Sequence, residues 1–200
     1  MDDSLTNRDY FNSVAENWDN IVNHDRVKIH EILTMTGVKE GDFVLDVGTG
    51  TGVLIPFLHE RIKDTGRIVA VDVADKMIEV AKKKYGYPNV SYVVGDARHI
   101  DLEAGSFDLV ICYSMFPHFG DKRDAVKKLS RYLKRGGRFV IAHSQSRQAI
   151  NRLHRDAAKE VRNDRLPDAG ILKGFYSDAG LETIHITDNE EMFVVVGQKR

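Results

Sequence analysis

Apolar runs alternate with helical patterns along most of this chain. Each run is followed by glycine or polar residues, which is typical of a buried β-strand. The runs predict strands at residues 44–47, 67–72, 90–97, 107–112 and 136–143. Between the second and third runs, residues 74–81 combine good helix formers with helical spacing of the apolar positions. This alternation predicts an α/β fold with a largely parallel sheet.

Both ends of the chain add elements to this core. Residues 8–20 carry five apolar residues at spacings of three and four, which predicts one apolar helical stripe: Tyr10, Phe11, Val14, Ala15 and Trp18. The other predicted elements are helices at 26–36 and 168–179, each ended by a glycine, and a closing hairpin of strands at 181–187 and 192–198. We therefore expect one domain over residues 1–200. Its expected parts are a helical lid (1–36), a βα core (41–143), a helical insertion (144–167) and a closing helix with strands (168–200).

A glycine-rich turn follows the first predicted strand. Asp46 precedes Gly48, Gly50 and Gly52 at alternate positions, and residues 53–55 begin the next predicted helix. Glycines allow positive φ and let backbone N–H groups approach a ligand closely. The strict dinucleotide fingerprint requires a third glycine three positions after the second, where Val53 stands, so a nicotinamide dinucleotide is not favoured.

Two later strand ends carry acids at matching offsets. Asp72 closes the second predicted strand, 20 residues after Gly52, where a carboxylate can accept hydrogen bonds from both ribose hydroxyls. The third predicted strand ends in Gly95-Asp96-Ala97. In order and spacing, residues 41–143 resemble class I S-adenosylmethionine-dependent methyltransferases, nearest to the quinone and menaquinone C-methyltransferase-like group.

The resemblance implies a Rossmann-like sheet of seven strands in the order 3-2-1-4-5-7-6, with the last strand antiparallel, and S-adenosylmethionine as the cofactor. It assigns Asp96 to the adenine amino group and the aromatic residues of the N-terminal segment to a lid over the cofactor, although packing on the sheet edge is the alternative. The expected cofactor-binding residues are Tyr10, Trp18, Asp46, Gly48, Thr49, Gly50, Gly52, Asp72, Val73, Met77, Gly95, Asp96, Ala97 and Tyr113. Ligands of open α/β sheets bind where strand order reverses, which here lies between the first and fourth strands.

The sequence indicates less about the methyl acceptor than about the cofactor. The fourth strand lacks the Asn/Asp-Pro-Pro-Tyr sequence expected of a DNA or exocyclic-amine methyltransferase. His118, after the fourth strand, and His143, ending the fifth, are the candidate catalytic residues, since an imidazole can accept an acceptor's proton. For His118, hydrogen bonding to the loop backbone is an equally good interpretation.

A helix is also predicted just after the fifth strand, with Ser144 or Ser146 as its N-cap. At 100° per residue, Arg147, Asn151 and His154 share one face and are the candidate substrate-binding residues, with a solvated helix face as the alternative. Three histidines could converge on a metal, but no local ligand pair supports this, and no metal is expected.

Composition and net charge limit the classes of partner that we expect this protein to bind. The chain has 200 residues, 42% of them hydrophobic, with a formal net charge of −1 and one cysteine. Nothing in this charge favours nucleic acid or an anionic membrane, and no apolar run is long enough for a membrane span. We expect a cytoplasmic enzyme that moves a methyl group to a small-molecule acceptor by in-line displacement. A non-catalytic cofactor-binding regulatory module and an RNA-modifying methyltransferase are the alternatives.

Overall fold

The computed structural model describes the backbone of residues 3–200 and the side chains from residue 7 onward. The eight α-helices of this part are α1 (Asp3–Val14), α2 (Trp18–Ile21), α3 (Arg26–Thr36), α4 (Ile55–Ile62), α5 (Asp75–Lys84), α6 (Lys122–Leu129), α7 (Arg147–Asp156) and α8 (Ala169–Asp178). The seven strands are β1 (Phe43–Val47), β2 (Arg67–Asp72), β3 (Val90–Val94), β4 (Phe107–Tyr113), β5 (Leu133–His143), β6 (Leu181–Asp188) and β7 (Phe193–Lys199). Short 3-10 turns at Ala15–Asn17, Phe116–His118 and Ser130–Tyr132 complete the elements.

The strands form one sheet in the order β3-β2-β1-β4-β5-β7-β6. The first five pair in parallel, whereas β7 runs antiparallel to both β5 and β6. This confirms the predicted fold and strand order. The order reverses between β1 and β4, which pair over Val44–Val47 and Leu109–Cys112, so a crevice opens beyond the carboxyl ends of these two strands.

Apolar side chains cover both faces of the sheet. Successive residues of a strand point to opposite faces, so that Leu45 and Val47 enter one apolar cluster and Val44 enters the other. All three are at most 2% exposed. A sheet covered on both faces leaves its strand ends and loops as the place for a ligand site.

The helix boundaries differ from the predictions in two places. The N-terminal helix predicted as one element breaks at the 3-10 turn Ala15–Asn17, so that Trp18 begins a separate short helix. The helix after the glycine turn begins only at Ile55, because Pro56 occupies its first turn. Of the two predicted caps of α7, Ser146 is the N-cap, and its Oγ accepts a hydrogen bond from Ala149 N at 3.1 Å.

Candidate active site

A cavity of about 460 Å³ lies beyond the carboxyl ends of β1, β2, β4 and β5. The N-terminal helices, the loop after β4 and α7 form its other walls. Fifteen of the predicted site residues line it: Tyr10, Trp18, Gly48, Thr49, Gly50, Asp72, Val73, Met77, Gly95, Asp96, Ala97, Tyr113, His118, His143 and His154. We call the part around Gly48–Gly50, Asp72 and Asp96 the donor end, and the part around His118, His143 and His154 the acceptor end.

The glycine turn carries positive φ angles, as its composition predicts. Gly48 has φ +68° and Gly50 has φ +56°. A Cβ on Gly48 would lie 2.6 Å from Cγ of Met115, so this position requires a glycine for packing as well as for φ. A Cβ on Gly50 would meet no protein atom within 4 Å, because Gly50 faces the cavity.

Asp46 and Gly52 do not line the cavity, and their assignment as cofactor contacts stays a prediction. Asp46 is 2% exposed and accepts a hydrogen bond from Oγ1 of Thr49 at 2.7 Å, so it supports the turn from behind. Burial and, to a smaller extent, the nearby Asp72 carboxylate raise the pKa of Asp46 to about 7, although the hydrogen bond from Thr49 acts to lower it. A Cβ on Gly52 would lie 2.9 Å from Ile55 and 3.0 Å from Tyr85, so this glycine allows the turn to pack against α4 and the end of α5.

Asp72, at the end of β2, faces the cavity with an oriented carboxylate. Its Oδ2 accepts from Gly50 N and its Oδ1 from Ala74 N, each at 2.9 Å. Burial raises the pKa of Asp72, while these hydrogen bonds and the charge of His118 act in the opposite direction. The glycine turn and the second strand end are therefore joined by a direct hydrogen bond.

Asp96 follows β3 and is paired with Arg98. Arg98 Nη2 lies 2.6 Å from Asp96 Oδ2, and Arg98 N donates to Asp96 Oδ1 at 2.9 Å. Burial acts to raise the pKa of Asp96, but the hydrogen bonds from Arg98 lower it below its ordinary value. The acid predicted to meet adenine is thus an ionised carboxylate at the donor end.

The N-terminal helices are fastened over the donor end. Asp75, at the start of α5, accepts hydrogen bonds from Nη2 of Arg8 and Nδ2 of Asn12, both at 2.9 Å. Asp19 accepts from Oγ1 of Thr51 at 2.6 Å and pairs with Nζ of Lys84 at 2.7 Å. These contacts tie residues 8–19 to the glycine turn and to both ends of α5.

Aromatic rings from this segment reach the cavity. Phe11 makes edge-to-face contacts with Tyr10, Trp18 and His118, with ring centroids 5.1–5.5 Å apart. Tyr10, Phe11 and Trp18 all line the cavity. This is the placement expected of a lid, which stays a prediction. Residues 1 and 2 of the predicted lid lie outside the described residues.

The His118 side chain meets a carboxylate, not the loop backbone. Its Nδ1 lies 2.6 Å from Oδ2 of Asp164, in the segment after α7. The His118 ring also lies edge-on to His154, with ring centroids 5.1 Å apart. Asn7 Nδ2 donates to the backbone oxygen of His118 at 3.1 Å, so the N-terminal helix contacts this loop directly.

His143 and His154 are buried and incompletely paired. His143 is 1% exposed, and neither of its ring nitrogens has a hydrogen-bond partner among the described residues. Nδ1 of His154 also lacks one within the described part of the chain. Burial lowers the pKa of His143 to about 3 and, together with the charge of His118, that of His154 to about 4. Both rings are therefore neutral at physiological pH.

Arg147 and Asn151 do not line the cavity, and their assignment as substrate contacts stays a prediction. Arg147 Nε pairs with Oδ2 of Asp188 at 3.2 Å, at the end of β6. Asn151 accepts from Leu166 N at 2.7 Å and donates to Leu166 O at 3.0 Å. Of the three predicted residues of α7, His154 alone reaches the cavity, in company with the apolar Ile150 and Leu153.

Several cavity residues had no signal in the sequence. His24 Nδ1 lies 3.2 Å from the Tyr113 hydroxyl, which donates to Oγ of Ser144 at 3.0 Å. Ser114 holds a φ of +55° at the end of β4, a conformation rare for a residue other than glycine. Neither feature follows from a local spacing, because each depends on how separate segments meet.

Metal binding and membrane insertion receive no support in the described part of the chain. Within residues 3–200, no group of three or more His, Cys, Asp or Glu side chains is arranged to hold a metal ion. No helix among the same residues has the length and apolar character needed to cross a membrane.

Comparisons with known proteins agree with this geometry. The family model for a methyltransferase domain matches residues 45–141. The ubiquinone/menaquinone biosynthesis C-methyltransferase UbiE of Enterobacter sp. (strain 638) is 27% identical over 87% of this chain and 82% of that relative. The malonyl-[acyl-carrier protein] O-methyltransferase of Marinomonas sp. (strain MWYL1) is 31% identical over 66% of this chain and 49% of that relative.

Among solved structures, an S-adenosylmethionine-dependent methyltransferase from Aquifex aeolicus has a similar fold. Its TM-score is 0.75 at 21% identity, over 94% of this chain and 98% of that chain. The similarity extends beyond the βα core, since it covers nearly the whole chain.

Proposed function

We propose that this chain, which is a class I S-adenosylmethionine-dependent methyltransferase, transfers the methyl group to a small-molecule acceptor bound beside His118. S-adenosylmethionine is its cofactor. The observation that carries the proposal is that one cavity joins the donor end to the acceptor end. A donor and an acceptor bound in the same cavity can meet without a large movement of either.

The donor end would hold the cofactor by its two acids and its turn. The Asp72 carboxylate is suited to the ribose hydroxyls, and Asp96 to the adenine amino group. The backbone at Gly50 offers close approach, because this residue has no Cβ and faces open space in the cavity. The aromatic residues Tyr10, Phe11 and Trp18 would cover the bound cofactor and exclude water.

The chemistry proposed is an in-line displacement. The sulfonium already activates the methyl carbon, so the protein has to align nucleophile, carbon and leaving sulfur and to remove a proton where the acceptor carries one. His118 is suited to that proton, because its ring lines the acceptor end and contacts a carboxylate. His143 stays a second candidate for a hydrogen bond to the acceptor.

The charges around the cavity favour an acceptor without a strong negative charge. Arg98 is the one arginine or lysine that lines the cavity among the described residues, and it pairs with Asp96. Arg147, the predicted anion ligand, is engaged by Asp188 elsewhere. The two relatives are named as a C- and an O-methyltransferase, so they agree on methyl transfer and differ in the accepting atom.

The test is formation of S-adenosylhomocysteine with a panel of phenols, thiols and amines. The wild type should produce it with at least one acceptor. His118→Ala should reduce turnover on a proton-bearing acceptor by about 10²–10⁴-fold, the range of general-base catalysis, while S-adenosylmethionine affinity is kept. His185→Ala serves as the control, because His185 lies on β6 away from the cavity and contacts Thr187.

Cofactor binding without product from any acceptor would contradict the small-molecule proposal. Methylation of transfer RNA, with a steep salt dependence of binding, would instead support the RNA-modifying alternative.

A further inference from the structure

The pair formed by His118 and Asp164 joins two segments that lie 46 residues apart in the sequence. The Nδ1 to Oδ2 distance is 2.6 Å, and the two side chains are 14% and 20% exposed. Partial burial strengthens a hydrogen bond to a carboxylate, because less water competes for either group.

This contact sets the proton arrangement of the imidazole. An ionised carboxylate can only accept hydrogen bonds, so Nδ1 of a neutral His118 must carry the proton. Nε2 is then the nitrogen with a free lone pair. The backbone of His118 is held through both of its polar groups. His118 N donates to Met115 O at 3.0 Å, and His118 O accepts a hydrogen bond from Asn7.

Asp164 is itself held in place. Its backbone N donates to Val161 O at 3.1 Å, and Leu166, two residues later, is bound on both backbone groups by the Asn151 side chain. The carboxylate is therefore presented to His118 by an ordered segment.

The other groups around His118 do not act as the hydrogen-bond acceptor for its Nδ1, as Asp164 does. His154 lies edge-on to the ring from α7, and Phe11 lies edge-on from α1. Charge interactions also reach His118 from Asp72 at the end of β2 and His143 at the end of β5. Of these, only Asp72 is a carboxylate, and its two oxygens accept from Gly50 and Ala74.

We propose that Asp164 is a positioning residue that holds His118 as the base for an acceptor hydroxyl of the phenol or enol type. This inference rests on the proposed function and specifies its substrate class. A base contributes most where the nucleophile is a weak acid that is mainly protonated at neutral pH. A phenolic hydroxyl, with a pKa of about 10, is such a group.

The step balances in protons and electrons. Nε2 of His118 takes the hydroxyl proton, and the released electron pair forms the bond from oxygen, or from its conjugated ring carbon, to the methyl carbon. The bond between methyl carbon and sulfur breaks, and its electron pair stays on sulfur, giving neutral S-adenosylhomocysteine. In carbon methylation, loss of the ring C–H proton to water restores the aromatic ring. The imidazolium formed is stabilised by Asp164 and later releases its proton to water.

The first test needs no acceptor. Nitrogen-15 NMR of histidine-labelled protein should show His118 in the Nδ1–H tautomer when neutral, with its signal assigned by its loss in His118→Gln. In Asp164→Asn the amide can donate to Nδ1, so the Nε2–H tautomer should become the main one. Asp156→Asn makes the same chemical change at an exposed position after His154 and should leave the tautomer unchanged.

The second test uses a series of substituted phenols, with S-adenosylhomocysteine as the readout. Asp164→Asn should lower turnover at least about 10-fold on phenols that are neutral at the assay pH, and less than about 3-fold on para-nitrophenol when it is mostly ionised, since an ionised acceptor needs no base. Asp164→Glu should recover part of the loss, and S-adenosylmethionine affinity should stay at the wild-type value in both variants.

Two kinds of result would overturn the inference without contradicting methyl transfer by this protein. One is an unchanged tautomer in Asp164→Asn, or an equal loss on every phenol, which a structural role would produce. The other is a wild type that methylates amines or thiols but no phenol. Absence of product with every acceptor class would overturn the proposed small-molecule activity and, with it, the role of His118 as a base.

Discussion

The two ends of the cavity are built differently. At the donor end the polar groups are already paired with protein: Asp72 accepts from Gly50 and Ala74, and Asp96 is bound by Arg98. At the acceptor end both ring nitrogens of His143 and Nδ1 of His154 have no partner among the described residues. An unpaired buried polar atom costs about 1–3 kcal/mol, so these nitrogens favour a bound molecule that can form hydrogen bonds with them.

This difference indicates a division of tasks. The donor end has a fixed geometry suited to one cofactor, held by a turn of small residues and two acids. The acceptor end joins neutral imidazoles to apolar walls, including Ile150 and Leu153, and can provide hydrogen bonds to an uncharged molecule. Four substitutions test the comparison, in order of decreasing expected effect.

The largest effect is expected at Asp46, behind the donor end. A carboxyl whose pKa rises on folding from about 3.9 to about 7 destabilises the folded state as pH rises through that interval, by about 4 kcal/mol in full. Asp46→Asn keeps an acceptor for the Thr49 hydroxyl but cannot ionise. We expect the variant to gain unfolding free energy over the wild type as pH increases from 5 to 8, measured by urea denaturation. An equal difference at both pH values would show that Asp46 does not titrate in this interval.

Asp72→Ala should weaken S-adenosylmethionine binding by about 1.5–3 kcal/mol, the range for hydrogen bonds to a charged group. The protein should stay folded, because Asp72 is at the end of β2 and contributes little apolar packing. Isothermal titration calorimetry measures the affinity, and circular dichroism provides the folding control. Wild-type affinity would mean that the ribose is bound elsewhere.

Asp19→Asn should have a moderate effect, because Asp19 joins the N-terminal helices to Thr51 and Lys84 but is partly exposed. We expect a loss of cofactor affinity of about 0.5–1 kcal/mol, in the range of a solvent-exposed ion pair. Trp18, the single tryptophan, lines the cavity beside Asp19, so its fluorescence should report cofactor binding. A signal that does not respond to cofactor would count against the lid.

The smallest effect is expected at Arg147. Its partner Asp188 lies at the end of β6, and the pair is outside the cavity. Arg147→Ala should change turnover and both substrate affinities by less than about 0.5 kcal/mol, as for other surface positions. A selective loss of acceptor affinity in steady-state kinetics would return Arg147 to the acceptor end.

Most residues predicted for the donor end line the cavity, because their positions follow from local spacing. The ends of the apolar runs indicated where strands are followed by loops. The alternate glycines after Asp46 indicated which of these loops binds a ligand. The seven-strand order came from family resemblance, and the sheet confirms it. Asp46 and Gly52 lie outside the cavity lining, because a motif gives a residue's position along the turn but not the direction of its side chain.

The acceptor end was predicted only in part because long-range contacts determine it. Helical periodicity correctly grouped His154 with α7, but it could not show that Asp188, on β6, would draw Arg147 away. A guanidinium is also costly to place among apolar side chains without a partner. Nothing local connects Asp164 to His118, because the contact exists only after α7 folds back over the loop following β4.

The double hydrogen bond between Asn151 and Leu166 has a consequence for engineering. It closes a loop of about fifteen residues onto one amide side chain. The residues inside this loop can therefore be exchanged while Asn151 and Leu166 hold its two ends together. A graft of residues 157–163 from a related enzyme should fold onto this scaffold as long as Asn151 and Asp164 are kept. Acceptor preference could then be varied in a library while the nucleotide-binding half of the molecule stays untouched.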